Sequence, residues 1–177
     1  MTLPLEWAKN KWQRMVSNLN DEFYSHVGEL LEHEEIMLLD NFTQHYSFTR
    51  LRHSLDVAYA SFVIARFLHW DSRSTARAGL LHDMFFYDWR DKSYKREGAH
   101  ASSHPLVAIE NAKRITSLNK LEENIILRHM WLVTLIPPRY KEGYIVTFVD
   151  KICAVREAAI GLFSHSAKPH AVTAANL

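Results

Sequence analysis

Residues 76–86 read Ala-Arg-Ala-Gly-Leu-Leu-His-Asp-Met-Phe-Phe, an apolar stretch in which a histidine and an aspartate stand side by side. The spacing predicts a helix over about residues 74–86, whose small residues permit close packing against another helix. Successive residues of a helix project about 100° apart, so His82 and Asp83 would leave this helix in different directions. A buried carboxylate needs a charged partner or a metal ion, so the pair marks a candidate site.

The rest of the chain is also predicted to be helical. Only 5 glycines and 5 prolines stand among the 177 residues, too few for the turns that β-hairpins require, and no segment predicts a strand. The predicted helices cover about residues 5–16, 21–36, 51–68, 74–86, 105–115, 119–130 and 142–163. The expected fold class is therefore all-α, a bundle of about seven helices. Asp71 or Ser72 would cap the fourth helix, and Asn119 with Glu122 would form a capping box.

Two further helix starts and two loops complete this interpretation. Asn20 or Asp21 would cap the second helix, and Pro105 suits the first position of the fifth. Residues 40–50 are predicted to be a loop that leads into the first functional element. Residues 87–103 form a longer predicted loop, and loops of this length often serve as lids or bind substrate.

Length and composition limit the class of protein. A chain of 177 residues is of single-domain length, so residues 1–177 are predicted to form one domain. The formal net charge of +1 gives no signal of nucleic-acid binding. The first residues lack the features of a secretory signal, and no apolar run approaches the roughly 18 residues of a membrane span. Cys153 is the only cysteine and lies in an apolar run, where a buried inert thiol is expected. Together these features predict a cytoplasmic protein.

Two more titratable residues fall at apolar helical positions. His53 lies in the first turn of the predicted third helix, and Asp150 interrupts the apolar run of residues 145–153. Burying such groups is costly unless they share a compensating charge. A cation that several helices meet would compensate all of them together.

The order of these residues resembles that of the HD-domain phosphohydrolase superfamily: a histidine, then an adjacent histidine and aspartate, then a final aspartate. The flanking sequences match as well, at residues 52–58, 79–83 and 148–151. The resemblance spans about residues 44–157 and implies an HD-type helical bundle. The N-terminal helices over residues 5–39 would pack on this region, and their pairing with a second copy would give a homodimer.

Family members with two metals add two histidines between the pair and the final aspartate. His104 and His129 match that order, with His100 as the alternative to His104. The resemblance implies a six-ligand set, in which Asp83 bridges the two metals and His104 and His129 hold the second. The ligands of the first metal would be His53, His82, Asp83 and Asp150. The pattern is similar to that of symmetrical diadenosine-polyphosphate hydrolases. It also matches cyclic-dinucleotide phosphodiesterases in ligand order, but their extended Gly-Tyr-Pro signature is absent.

The resemblance implies a phosphohydrolase with two divalent transition metals per chain. Imidazole and carboxylate ligands suit iron, manganese, cobalt, nickel or zinc. Two such ions activate water and polarise a phosphoryl oxygen, with Asp83 and Lys151 as catalytic residues. The substrate would be a phosphate ester or anhydride of a nucleotide or another small phosphorylated metabolite. The candidate substrate-binding residues are His45, Lys95, Arg139, Lys151 and Arg156.

Two other functions remain open at the level of sequence. Some enzymes of this fold use the same ligand set to hold a di-iron centre that activates oxygen, so an oxygenase is one alternative. A metal-binding regulatory module without activity is the other. Against the second, no position of the expected ligand set is replaced in this chain.

Overall fold

The structure of the chain is a bundle of helices, as the sequence predicts. The computed structural model describes residues 3–45, 48–91 and 98–166, and the side chains of residues 16–44, 48–91 and 98–162. The helices are α1 (Leu3–Leu31), α2 (Glu34–Leu38), α3 (Arg50–Phe67), α4 (Ser72–Leu81), α5 (His100–Ile115), α6 (Lys120–Arg128) and α7 (Lys141–Ser166). A 3-10 helix, Leu39–Asn41, follows α2. The all-α fold class is therefore confirmed.

The close pair α3 and α4 lies at the centre of the bundle. These two helices share the most extensive contact between elements in the described part of the chain. Gly79 permits this approach, because a Cβ there would lie 2.9 Å from the Cα of Ala58. α7 packs against α3, and α6 packs against α4. The elements that carry the predicted ligands therefore surround one centre.

The core between α1 and α3 is aromatic and aliphatic. Phe23, Val27 and Leu30 are buried along one stripe of α1. Phe23 contacts Phe62 of α3, with their ring centroids 5.6 Å apart. Burying a side chain of this size contributes roughly 1.5–3 kcal/mol. The second half of α1 is thus held to the bundle by ordinary apolar packing.

The start of α6 is fixed by the capping box that the sequence predicts. Asn119 Oδ1 accepts a hydrogen bond from the Glu122 backbone N–H at 2.8 Å, and Glu122 Oε2 accepts one from the Asn119 N–H at 2.9 Å. The other oxygen of Glu122 accepts a bond from Nε of the buried Arg77 at 2.7 Å. Because Arg77 belongs to α4, this ion pair links α6 to α4. Asp71 caps α4, as expected, by accepting a bond from the Ser74 N–H at 2.9 Å.

The N-terminal region differs from the prediction in two respects. α1 runs continuously from Leu3 to Leu31, so neither Asn20 nor Asp21 begins a helix. These residues are only weakly unfavourable inside a helix, and the apolar stripe beyond them outweighs that cost. Residues 40–50, predicted to be a loop, include β1 (Thr43–His45) and β2 (Phe48–Thr49), a short antiparallel pair.

The helix α4 ends earlier than predicted, at Leu81 rather than near Phe86. Side chains from other elements donate hydrogen bonds to the backbone carbonyls that follow Leu81. The carbonyl of Met84 accepts a bond from Asn111 Nδ2 at 2.9 Å, and that of Phe85 accepts one from Arg50. Because these carbonyls are satisfied from outside, the backbone leaves the helix at His82.

α5 begins at His100, ahead of Pro105, so the proline stands inside the helix instead of at its first position. The carbonyl of Ala99 accepts bonds from the N–H groups of Ser102 and Ser103, at 3.0 Å and 3.1 Å. The hydroxyl groups of both serines also donate to it, at 2.9 Å and 3.1 Å. These bonds extend the helix by one turn before the proline.

No helix in the described residues is both long enough and apolar enough to cross a membrane.

Candidate metal centre

Three of the predicted ligands are oriented by helix backbone. His82 and His129 are the residues at which α4 and α6 end, where carbonyls lack a partner within the helix. Nδ1 of His82 donates to the Gly79 carbonyl at 2.7 Å, and Nδ1 of His129 donates to the Ile126 carbonyl at 2.8 Å. Nδ1 of His104 donates likewise to the His100 carbonyl at 2.7 Å. With the proton held on Nδ1, each neutral imidazole presents the lone pair of Nε2 to its surroundings.

The lone pairs of two of these rings point at each other and at Asp83. Nε2 of His104 lies 2.8 Å from Nε2 of His129. Oδ1 of Asp83 is 3.2 Å from the first of these nitrogens and 3.5 Å from the second. All three side chains are buried. Two nitrogen lone pairs at this distance repel each other unless a positive charge lies between them.

The other predicted ligands meet on the opposite side of Asp83. Nε2 of His82 lies 3.5 Å from Oδ2 of Asp83 and 3.7 Å from Oδ1 of Asp150. Nε2 of His53 is 3.1 Å from the same Asp150 oxygen. The structure therefore brings together all six residues that the sequence singles out as ligands. Three groups of these residues have ligand atoms within 4.8 Å of one another: His53, His82 and Asp83; His82, His129 and Asp150; Asp83, His104 and His129.

The donor set fits a divalent cation. Within the described residues, Nε2 of His82 and Oδ1 of Asp83 are buried and receive no well-aligned hydrogen bond. Buried polar atoms are rarely left unsatisfied, and each exception requires an explanation. A cation would satisfy both atoms and would remove the repulsion between His104 and His129. Imidazole and carboxylate donors together are typical ligands of transition metals.

The electrostatics of the metal-free site follow from crowding buried acids and bases. Burial alone would lower the pKa of His53, but its hydrogen bonds to Asp150 and Glu157 raise that pKa to about 10. Burial and the nearby His104 and His82 lower the pKa of His129 to about 3. Burial opposes ionisation of Asp150, yet its hydrogen bond to His53 and the nearby His82 ring hold its pKa well below the usual range. The site therefore carries ionised carboxylates, a protonated His53 and a neutral His129 at neutral pH.

Two contacts around the ligands were not predicted from the sequence. The carboxylate of Glu157, fully buried on α7, lies 2.9 Å and 3.1 Å from Nδ1 of His53. Gln44, on β1, donates from Nε2 to Oδ2 of Asp83. Nε of the fully buried Arg50 donates to Oε1 of Gln44 at 2.9 Å, which fixes the orientation of that amide. Each of these residues acts on the site through a ligand.

Of these residues, Glu157 could have been found from the sequence. It follows Asp150 by two helical turns and therefore shares its face of α7. Gln44 gives no comparable signal, since its contact with Asp83 joins elements far apart in the chain.

A cavity of about 260 Å³ opens onto the ligands. Its lining residues are Gln44, Asp83, Trp89, His100, His104, His129, Met130, Val133, Asp150, Lys151 and Ala154. One wall is aromatic, because Trp89 stacks on His100 with ring centroids 5.6 Å apart. Met130, Val133 and Ala154 supply apolar surface. A small molecule can thus reach the ligands through a partly apolar cavity.

Lys151, one of the predicted catalytic residues, lines this cavity. Its Nζ lies 2.7 Å from Oδ2 of Asp150 and donates to the His129 carbonyl at 3.2 Å. His100, the alternative to His104, also lines the cavity, with its ring stacked 4.4 Å from that of His104. His100 belongs to none of the three potential metal-binding groups among the described residues.

The other predicted substrate-binding residues lie elsewhere or outside the described part. Arg156 forms an ion pair with Asp56 at 2.5 Å, and Arg139 is exposed beside Tyr140. Neither arginine lines the cavity. The backbone of His45 belongs to β1, but its side chain lies outside the described residues, as does the whole of Lys95.

Comparison with known proteins gives one informative match. No protein-family model matches the chain. The chain is 28% identical over 158 residues to a protein named ribonuclease Y, from Thermoanaerobacter pseudethanolicus. The match covers 88% of this chain but 29% of that protein, so the chain spans less than a third of its relative's length. At low identity, therefore, the chain is similar to part of a hydrolase.

Proposed function

We propose that this chain is an HD-type, metal-dependent phosphohydrolase. It cleaves a phosphate ester or anhydride of a nucleotide or another small phosphorylated metabolite, with a metal-activated water as the nucleophile. Two divalent transition metals are bound per chain. The first is held by His53, His82, Asp83 and Asp150, and the second by Asp83, His104 and His129.

One observation carries this proposal: six buried imidazole and carboxylate side chains converge, and four of them, Asp83, His104, His129 and Asp150, line a cavity. His82 Nε2 and Asp83 Oδ1 lack aligned partners among the described residues, and His104 and His129 turn lone pairs towards each other. A purely structural polar cluster would pair its donors with acceptors. The two oxygens of Asp83 face different ligands, since Oδ2 lies 3.5 Å from Nε2 of His82 and Oδ1 lies 3.2 Å from Nε2 of His104, which supports its role as the shared ligand.

The similarity to a ribonuclease supports a phosphodiester as the substrate class. A ribonuclease cleaves phosphodiester bonds, and the match extends over 88% of this chain. Divalent cations at the site would polarise a phosphoryl oxygen and lower the pKa of a bound water. A near-neutral chain with a cavity of only about 260 Å³ favours a small substrate over a long polymer.

The residues of the chain itself would position and neutralise the substrate. Lys151 places an ammonium group in the cavity wall, within reach of a phosphate held over the ligands, while it also orients Asp150. Met130, Val133 and Ala154 exclude water from one side of the cavity. Electrostatic attraction to a phosphoryl group is stronger in such a partly dry site than in bulk water.

The test measures metal content and hydrolysis separately. The chain, purified without chelator, is analysed for transition metals and then screened against phosphomonoesters, phosphodiesters and nucleoside polyphosphates with manganese, iron, cobalt or nickel. We expect up to two metals per chain and phosphate release that does not require oxygen. Oxygen consumption with iron alone would instead support the oxygenase alternative. A chain without metal and without activity would support the regulatory alternative.

Variants assign the ligands. We expect Asp83→Ala to abolish turnover and to disturb both metal positions, and His104→Ala to lose the second metal while it keeps the first. Glu110→Ala is the control, because Glu110 lies outside the cavity and pairs with Arg114 on the exposed face of α5. Unchanged metal content in Asp83→Ala would refute the shared-ligand assignment.

A further inference from the structure

The four histidines of the centre are not held in the same way. Nδ1 of each of His82, His104 and His129 donates to a neutral backbone carbonyl. Nδ1 of His53 instead faces a carboxylate, that of Glu157, at 2.9 Å and 3.1 Å. A carboxylate behind an imidazole raises the basicity of its other nitrogen and fixes the orientation of the ring. His53 is therefore the strongest donor of the four.

Glu157 is placed where its charge can act only locally. It is fully buried, and so is His53, so water screens the charge between them very little. The adjacent Arg156 is directed away, into an ion pair with Asp56 at 2.5 Å. His53 is therefore the hydrogen-bonded neighbour of Glu157.

Glu157 adds to a difference in charge between the two metal positions. Asp83 is common to both positions. Asp150 belongs to the first position alone, and the ammonium of Lys151, 2.7 Å from its Oδ2, offsets part of its charge. His104 and His129 bring no charge to the second position in their neutral form. Glu157, behind His53, therefore places a further negative charge on the side of the first position.

We infer that Glu157 is a positioning residue that makes the position bounded by His53, His82 and Asp150 the tighter of the two. The chain then binds its metals in order, with the first position filled before the one at His104 and His129. This inference rests on the proposed function for the ligand sets, but it does not depend on the substrate. Outer contacts of this kind typically change metal affinity by about 10–100-fold.

The experiment titrates the metal-free full chain with Co²⁺ in competition with a chromophoric chelator. The wild type is expected to bind in two resolved steps. In Glu157→Gln, which keeps the shape and the hydrogen-bond acceptor but removes the charge, the first step weakens about 10–100-fold. The affinity of the second step does not change, so the difference in affinity between the two steps becomes smaller. The visible absorption of Co²⁺ bound in the first step changes as well, because the donor strength of His53 changes.

Glu122→Gln is the matched control. Glu122 is also a buried glutamate with a bound partner, since it pairs with Arg77 at 2.7 Å, but it lies away from the ligands. We expect it to lower stability and to leave both Co²⁺ affinities and the spectrum unchanged. Glu157→Asp retains the charge at a slightly greater distance and is expected to recover most of the first-step affinity. It also carries the test if Glu157→Gln does not fold.

The outcomes separate this inference from the proposed function. Equal first-step affinities in the wild type and Glu157→Gln overturn the inference and leave the proposed function standing. If the first Co²⁺ step is weaker in Glu157→Gln than in the wild type, as expected, but the wild type hydrolyses no phosphoester, the proposed function alone is overturned. Absence of Co²⁺ binding by the wild type overturns both.

Discussion

The close approach of α3 and α4 can be tested by substituting one glycine. In Gly79→Ala the new Cβ would lie 2.9 Å from the Cα of Ala58, whereas ordinary contact begins at 3.4 Å. The obstacle is backbone, which cannot rotate away, so the helices must move apart by about half an ångström. Overpacking of this kind typically costs about 1–3 kcal/mol.

A gain in helix propensity opposes this cost. Replacing glycine by alanine inside a helix contributes about 1 kcal/mol, so we expect a net loss of about 0–2 kcal/mol for Gly79→Ala. In a protein of this size the loss lowers Tm by up to roughly 8 °C. The free energy of unfolding of the metal-free chain, from urea titration, is the measurement.

The chain provides a matched control in Gly28→Ala. Gly28 lies in α1, and a Cβ there would meet nothing within 4 Å. The same substitution should therefore stabilise the protein by up to about 1 kcal/mol. We expect Gly79→Ala to be less stable than Gly28→Ala by about 1–3 kcal/mol. A Gly79→Ala protein stabilised as much as Gly28→Ala would refute the argument from close approach.

Two further outcomes are expected. In Gln44→Leu, Asp83 loses a hydrogen-bond donor and the buried Arg50 loses an acceptor. We therefore expect the free energy of unfolding to fall by about 1–3 kcal/mol and the metal affinity to fall about tenfold. Denaturant unfolding and chelator competition measure the two effects, and wild-type values in both would contradict this expectation. The metal-free chain should also lose stability from about pH 7 towards pH 10. Protonated His53 has a folded pKa of about 10 against 6.5 when unfolded, so its contribution is full below pH 6.5 and is lost as pH rises through 10. The pKa of His82 is raised as well and acts in the same direction. His129 acts oppositely: its folded pKa of about 3 makes it destabilising below pH 6.5. The metal-loaded protein should not lose stability at alkaline pH, because a metal-bound imidazole no longer carries the proton that His53 loses. Urea midpoints that fall equally with and without metal would refute the assignment of this pH dependence to His53.

The fold class follows from local sequence, but the ends of the helices do not. The capping box of Asn119 and Glu122 acts within four residues, so the sequence predicts it correctly. The end of α4 depends instead on Asn111 and Arg50, which bind the carbonyls beyond it from distant parts of the chain. The apolar run after His82 continues the helical pattern, so periodicity alone predicts a longer helix.

In the candidate site, too, the sequence predicts some features correctly and does not predict others. All six predicted ligands meet in the structure. In the sequence, His53, His82, Asp83 and Asp150 are marked by polar side chains within apolar segments, whereas His104 and His129 are identified only by the family resemblance. The contact from Gln44 to Asp83 depends on the two short strands and could not be predicted from helical spacing. The predicted phosphate contacts of Arg139 and Arg156 rested on charge alone, and both side chains lie away from the cavity.

The positions of His82 and His129 at the ends of α4 and α6 have a consequence for the order of folding. Each ring takes its orientation from a carbonyl in the final turn of its own helix. Fraying of either last turn would release the ring and scatter the donors, so the centre can assemble only after both turns have formed. Helix termini are ordinarily the first places to open. Here, metal ions held by these rings would oppose fraying of both helix ends and make them among the slowest to open.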